Sequence, residues 1–68
     1  MADTKFPELL VPKEAAAIRR VTTGHQANER HRGEGPPFAR IGGRIYYPAD
    51  QLREYITSRI VDPSRRAG

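Results

Sequence analysis

The sequence predicts a small, mostly α-helical domain with one β-hairpin, in the order helix, turn, helix, hairpin, helix. Three observations predict this fold class. Good helix formers follow Pro12, two short runs of β-forming residues flank Gly42-Gly43, and apolar residues recur at three- and four-residue spacing after Pro48. The chain has 68 residues, which is enough for one small domain.

The first helix is predicted over residues 12–20. Pro12 suits the first helical turn, where its missing N–H is harmless, and Glu14 lies near the positive end of the helix dipole. We expect four apolar residues in or beside this helix to face the core: Leu10, Ala15, Ile18 and Val21.

The second helix is predicted over residues 23–32, with Thr22 as its N-cap. Gly24 weakens a helix, and Ala27 is the only apolar residue in this stretch. Taken alone, the segment also fits a loop, and part of the case for a helix comes from the resemblance described below.

A hairpin is predicted after Pro36-Pro37, since consecutive prolines exclude a helix there. Residues 38–41 and 44–47 read as strands, because Gly42-Gly43 supports the positive φ angles of a tight hairpin turn. The side chains expected on the inner side of this hairpin are Phe38, Ile41 and Ile45.

The last helix is predicted over residues 48–61. Pro48 starts it, Asp50 favours its first turn, and Asp62-Pro63 ends it. The residues that recur in it at three- and four-residue spacing are Leu52, Tyr55, Ile56, Arg59 and Ile60.

We expect residues 1–8 to form a flexible arm, residues 9–62 the folded domain, and residues 63–68 a flexible tail. The chain contains no cysteine, so disulfides and cysteine-type zinc sites are excluded. No long apolar run marks a signal peptide or a transmembrane segment, and the expected location is the cytoplasm, without a membrane partner.

The charge balance favours an anionic partner. The net charge is +4, ten of the twelve cationic residues are arginine, and the isoelectric point is near 10.1. Arginine binds phosphate in a bidentate manner, which suits a nucleic acid. A few net charges also serve solubility in small domains, so charge alone leaves both interpretations open.

Two stretches resemble a known family. LLVPKEAAAIRRVTT resembles the opening of excisionase-like and MerR-like helix-turn-helix domains, and GEGPPFARIGGRIYYPADQLREYI resembles their wing and closing helix. The resemblance covers about residues 9–56, and its most specific part is GPPF, then R-I-G-G-R-I-x-Y, then a helix with D-x-L-x-x-Y-I. It implies a small winged helix-turn-helix whose second helix enters the major groove of DNA, with the hairpin as a wing near the backbone or minor groove.

The resemblance also implies a function. Many members are excisionases, or recombination directionality factors, and others regulate phage genes. We therefore expect a double-stranded DNA-binding protein that binds beside further copies of itself, bends attachment-site DNA and helps a site-specific integrase. A transcriptional regulator of the same fold is the alternative, and a module that binds an acidic protein instead of DNA is a second alternative.

The expected DNA contacts lie in three places. The recognition helix would contribute Thr23, Gly24, His25, Ala27, Asn28, His31 and Arg32, of which Asn28 and Thr23 are the best candidates for reading bases. The wing would contribute Arg40, Gly42, Gly43 and Arg44. Contacts to the DNA backbone are expected from Arg20 and Thr22.

Each group has an alternative explanation without DNA. The polar helix face is also compatible with simple solvation, the wing arginines with protection of an edge strand, and Arg20 with a favourable position near the helix dipole. The three tyrosines, Tyr46, Tyr47 and Tyr55, fit packing better than stacking on single-stranded bases.

The chain departs from the family at four positions. The usual glycine between the helices is Arg20, a late apolar residue of the first helix is Arg19, and two apolar positions of the second helix are Gln26 and Glu29. Arg19 and Glu29 occupy positions that face each other in the family, so we expect them to pair. A partly exposed pair contributes about 0–1 kcal/mol.

Catalysis, a metal and a cofactor are not expected. No serine lies in a nucleophile motif, the glycines form no phosphate-binding loop, and a chain this short has little room for a pocket that encloses a small-molecule substrate. His25 and Glu29 have the spacing of a metal pair, but no third or fourth ligand is evident. The prediction is that the chain is not an enzyme.

Overall fold

The computed structural model describes residues 8–63 and contains three α-helices and a three-stranded antiparallel sheet. The elements in chain order are β1 (Leu9–Leu10), α1 (Pro12–Arg19), α2 (Thr23–His31), β2 (Ala39–Ile41), β3 (Arg44–Pro48) and α3 (Ala49–Thr57). The predicted order of three helices with a hairpin before the last is confirmed, whereas β1 was not predicted. Apart from Glu8 and Pro63, the predicted arm and tail lie outside the described residues.

Helix α1 ends in a hydrogen-bonded turn that leads directly into α2. The N–H of Val21 donates to the carbonyl of Ala16 at 3.0 Å, and the N–H of Arg20 donates to the carbonyl of Ala17 at 3.2 Å. This is the Schellman arrangement, and it places Arg20 in the left-handed region at φ 64°. The predicted N-cap of α2 is confirmed, because the Thr22 hydroxyl accepts the N–H of His25 at 3.0 Å.

The hairpin turns at Gly42 and Gly43, whose φ angles of 59° and 80° fit the mirror-image turns that join antiparallel strands. Arg40 pairs with Ile45 and Ile41 pairs with Arg44 across the strands. Ile41 and Ile45 therefore lie on opposite faces. The expectation that both point inward was wrong for Ile41, which is 51% exposed, while Ile45 packs against the core.

The third strand, β1, lies on the other side of β3. Leu10 pairs with Tyr47, and the N–H of Ala49 donates to the carbonyl of Glu8 at 2.7 Å. Two residues are too few to give a recognisable alternation of side chains, so this strand is set by its contact with β3.

The core forms where α1, the sheet and α3 meet. Its buried residues are Leu10, Ala15, Tyr47 and Leu52, with Ile45, Ala49 and Ile56 packed around them. The predicted inward positions Leu10 and Ala15 are confirmed, but Ile18 is 53% exposed and Val21 is only half-buried. The buried face of α1 is centred on Ala15 and Ala16, and Ile18 lies beside it.

Two other predictions, the end of the last helix and the inward position of Phe38, were wrong. Helix α3 ends at Thr57 and not at residue 61, and beyond it Arg59 and Ile60 are exposed. The Ser58 hydroxyl donates to the Tyr55 carbonyl at 2.7 Å, which competes with helical bonding. Phe38, expected inside, lies at the rim with about a third of its surface exposed.

Within residues 8–63, no helix has both the length and the apolar character that crossing a membrane requires.

Candidate functional site

A polar cluster between α1 and α2 fixes the position of α2. The guanidinium of Arg19 donates to both carboxylate oxygens of Glu29, at 2.8 and 3.0 Å. Gln26 accepts from Arg19 at 3.2 Å and donates to the carbonyl of Pro12 at 2.9 Å. No buried side-chain nitrogen or oxygen of the described residues lacks a hydrogen-bond partner. The predicted pairing of Arg19 with Glu29 is therefore present, within a network that also holds Gln26.

The pair is more buried than expected. The side chains of Arg19 and Glu29 are only 8% and 11% exposed. The hydrogen bonds from Arg19 lower the pKa of the Glu29 carboxyl below its ordinary value, against the opposing effect of burial, and the same bonds raise the pKa of Arg19. The estimate of 0–1 kcal/mol for a partly exposed pair no longer applies, since breaking a buried pair leaves an uncompensated charge.

With Gln26 and Glu29 turned inward, the opposite face of α2 meets solvent. Its exposed residues are the predicted Thr23, Gly24, His25, Asn28, His31 and Arg32, while Ala27 is half-buried. Two of these side chains are partly engaged: the imidazole of His25 lies 3.3 Å from a Glu29 oxygen, and Arg32 bonds to Glu34 at 3.1 Å.

An open cleft of about 220 Å³ separates α2 from the hairpin. Its lining comes from one edge of α2 and one face of the hairpin: Ala27, Arg30, His31, Phe38, Arg40 and Ile45. The cleft therefore brings together Ala27 and His31 of the predicted recognition helix and Arg40 of the predicted wing. The described residues that line it include three basic side chains and no carboxylate.

Arg30 lies in this cleft and was not among the predicted site residues. Its guanidinium donates to the Tyr47 hydroxyl at 2.7 Å and lies 5.9 Å from the centre of the Phe38 ring. The signal in the sequence was its spacing, because Arg30 is three residues after Ala27 and therefore shares an edge of the helix. Its contacts with Tyr47 and Phe38 are long-range and appear only in the fold.

The remaining wing candidates lie apart from α2. Arg44 pairs with Ile41 on the face opposite Arg40, and it lines a separate cleft with Val11, Pro12, Ile45 and Tyr46. Gly42 and Gly43 form the exposed hairpin tip between the two faces. The structure thus puts Arg40 and Arg44 on opposite sides of the wing.

The two residues predicted to contact the DNA backbone, Arg20 and Thr22, lie at the turn between α1 and α2. Arg20 is exposed, and Thr22 is exposed as well. The Thr22 oxygen is used as the helix cap, which leaves its hydroxyl hydrogen available to a ligand.

The tyrosines pack as expected. Tyr47 is fully buried, and Tyr46 and Tyr55 are half-buried. The ring of Tyr55 lies under the guanidinium of Arg59, 3.7 Å from its centre, with Arg19 at 5.3 Å. Among residues 8–63, no three histidine, aspartate or glutamate side chains form a group that could hold a metal ion.

Compared with models of known families, with curated proteins and with solved structures, the chain has no match.

Proposed function

We propose that the chain is a sequence-specific, double-stranded DNA-binding protein with a winged helix-turn-helix architecture. In this proposal α2 enters the major groove and the β2–β3 hairpin is the wing. One observation carries the proposal: one edge of α2 and one face of the hairpin converge on a basic cleft, and none of the described residues that line it is a carboxylate. Convergent arginines on a chain of net charge +4 suit the phosphates of DNA.

The chemistry of the outward face of α2 supports base recognition. Asn28 is exposed, and an asparagine amide can bond to adenine in a bidentate manner. Thr23 is exposed five residues earlier, and Gly24 and Ala27 are small enough to allow the helix backbone to approach a duplex closely. In this proposal Asn28 and Thr23 read bases, while Arg20, Thr22, Arg40 and Arg44 contact phosphates or the minor groove.

The biological role we propose is that of an excisionase acting in the cytoplasm. Several copies would bind side by side near an attachment site and bend it, so that a site-specific integrase assembles for excision. Smooth bending of a short site requires on the order of 1–6 kcal/mol, which cooperating copies can supply. The strand chemistry would belong to the integrase, and this chain would contribute binding energy and geometry without catalysis.

A binding titration tests the DNA proposal. A fluorescent duplex is titrated with the chain over a potassium chloride series, and the affinity should fall steeply with salt because bound phosphates release counterions. Asn28→Ala should relax the preference at one base position, and Arg44→Ala should weaken binding to all sequences. Salt-insensitive binding that is indifferent to sequence contradicts the proposal and favours a protein-interaction module. If binding is unchanged in both variants, the assignment of Asn28 and Arg44 to the DNA interface is wrong.

The role is tested separately. Excision of an attachment-site substrate by the cognate integrase should depend on this chain. If excision is unaffected and transcription from a reporter responds, the chain is a regulator of the same architecture.

A further inference from the structure

We propose that the cleft between α2 and the hairpin is a clamp for one backbone phosphodiester of the bound DNA, held by Arg30 from the helix and Arg40 from the wing. The inference rests on the proposed DNA binding. It assigns the cleft, and Arg30 in particular, a contact to the DNA backbone that is separate from base reading. The clamp fixes the register of α2 in the groove and carries no sequence information itself.

The charge distribution supports an anionic ligand. The acidic side chains nearest to the cleft in the sequence are occupied elsewhere: Glu29 turns inward to Arg19, and Glu34 bonds to Arg32. In the part of the chain that the structure describes, no carboxylate lies within ion-pair distance of Arg30 or Arg40. Among residues 8–63, no ion pair therefore compensates the positive charge of Arg30 and Arg40.

Arg30 is held in place by neutral groups. The buried Tyr47 hydroxyl accepts one of its N–H groups at 2.7 Å, and Phe38 lies beside its guanidinium. A guanidinium has five N–H donors, so most of them remain for a ligand while the side chain is already oriented. Little rotational freedom is lost when such a side chain binds, which favours a bidentate contact to phosphate.

Arg40 approaches from the other wall of the cleft. Its cross-strand partner Ile45 and the half-buried Ala27 of α2 add apolar surface to the lining of the same cleft. An opening of about 220 Å³ has room for a tetrahedral phosphate together with bridging water. His31 also lines the opening and can add a further hydrogen bond.

The test compares salt dependence in matched variants. Affinity for a random-sequence duplex is measured over a potassium chloride series for the wild type, Arg30→Gln, Arg40→Gln, the double variant and Arg53→Gln. Arg53→Gln is the control, because it removes the same charge from an exposed position on α3 that lines a different cleft. The double variant should reduce the slope of log affinity against log salt by about 0.9, the value for one phosphate contact.

The two arginines should also act together. Each single change is expected to weaken binding about tenfold, as for loss of one charged hydrogen bond. The double variant should lose less than the product of the two losses, since the second removal acts on a contact already broken. The control should keep the wild-type slope.

The Tyr47→Phe variant distinguishes the effect of Arg30 orientation from the effect of Arg30 charge. It retains every charge but removes the hydroxyl that holds Arg30, so affinity should fall while the salt slope remains that of the wild type. Circular dichroism melting verifies that each variant is folded. Arg40→Gln keeps the test decisive because Arg40 is exposed and its side chain has no hydrogen-bond partner among residues 8–63.

The two possible failures are distinguishable. If the wild type shows no salt-dependent binding to DNA, both the proposed function and the clamp are overturned. If the wild type binds, but Arg30→Gln and Arg40→Gln match Arg53→Gln in affinity and slope, the clamp alone is overturned.

Discussion

Arg19 and Glu29, ten residues apart, form a two-pronged ion pair that joins α1 to α2, with both N–H···O distances at or below 3.0 Å. Helices in small domains are more often joined by apolar side chains, whose contacts place little constraint on the relative orientation of the helices. A buried, bidentate pair requires a defined geometry, so it specifies the angle and register of α2 as well as attaching it. That register decides which residues of α2 face outward.

The first prediction concerns the two halves of this pair. Arg19→Leu or Glu29→Leu alone should lower the free energy of unfolding by about 3 kcal/mol, because each leaves a buried charge without its partner. The double variant should return to within about 1 kcal/mol of the wild type, since leucines at both positions pack as an apolar contact. Urea unfolding measures the coupling energy of this double-mutant cycle, with sucrose added to keep the single variants folded.

Independent effects at the two sites would contradict this prediction, because zero coupling energy means that the pair does not act as a unit. A control cycle uses Arg32→Leu and Glu34→Leu. That pair is solvent-exposed at 54% and 60%, and its coupling should be no more than a few tenths of a kcal/mol.

The second prediction is a loss of stability in acid. Arg19, through its hydrogen bonds, and the nearby His25 lower the folded-state pKa of Glu29 below the ordinary 4.5. The stabilisation from Glu29 is therefore complete above pH 4.5 and disappears as the pH falls through the lower, folded-state value. Urea unfolding across this acidic range should show the stability gap between wild type and Glu29→Gln closing as the pH falls. A gap that stays constant refutes the assignment.

The third prediction concerns Arg20, which occupies a left-handed turn at φ 64°. A residue with a Cβ atom is strained there, so Arg20→Gly should raise the stability by about 1 kcal/mol and the melting temperature by roughly 4–8 °C. Arg20→Ala is the matched control, as it removes the charge and keeps the strain. If the two variants melt at the same temperature, strain at this turn is not significant.

The fourth prediction compares two glycines after α2. Gly33 and Gly35 have φ angles of 71° and 87°, and an added Cβ at Gly35 would lie 3.0 Å from a carboxylate oxygen of Glu29, whereas at Gly33 it would meet nothing within 4 Å. Gly33→Ala should therefore show only the left-handed strain, about 1–2 kcal/mol. Gly35→Ala should lose about 1–3 kcal/mol more through crowding of the ion pair. Equal thermal melting of the two variants would exclude that crowding.

The local signals in the sequence were sufficient for most of the secondary structure. The Thr22 cap, the paired glycines at 42–43 and the apolar spacing of α3 each act within a few residues, so propensity and turn chemistry predict them. The errors fall where local signals are weak. Ile41 was predicted to point inward because strand register depends on the partner strand, which local sequence does not show. Helix α3 was predicted to reach residue 61 because Ile60 fits the helical spacing, although Ile60 is 68% exposed in the structure.

In the candidate site, too, some features follow from local sequence and others only from the fold. The sequence by itself determined that the chain has a polar segment at residues 23–32 and a hairpin flanked by Arg40 and Arg44. Residue type and spacing are properties of the chain, so they can be predicted without the fold. Only the tertiary structure decided that Gln26 joins the Arg19–Glu29 pair, that Arg40 and not Arg44 faces α2, and that Arg30 donates to the Tyr47 hydroxyl. These are contacts between residues far apart in sequence, and their geometry is set by packing of the core, which no short stretch of sequence encodes.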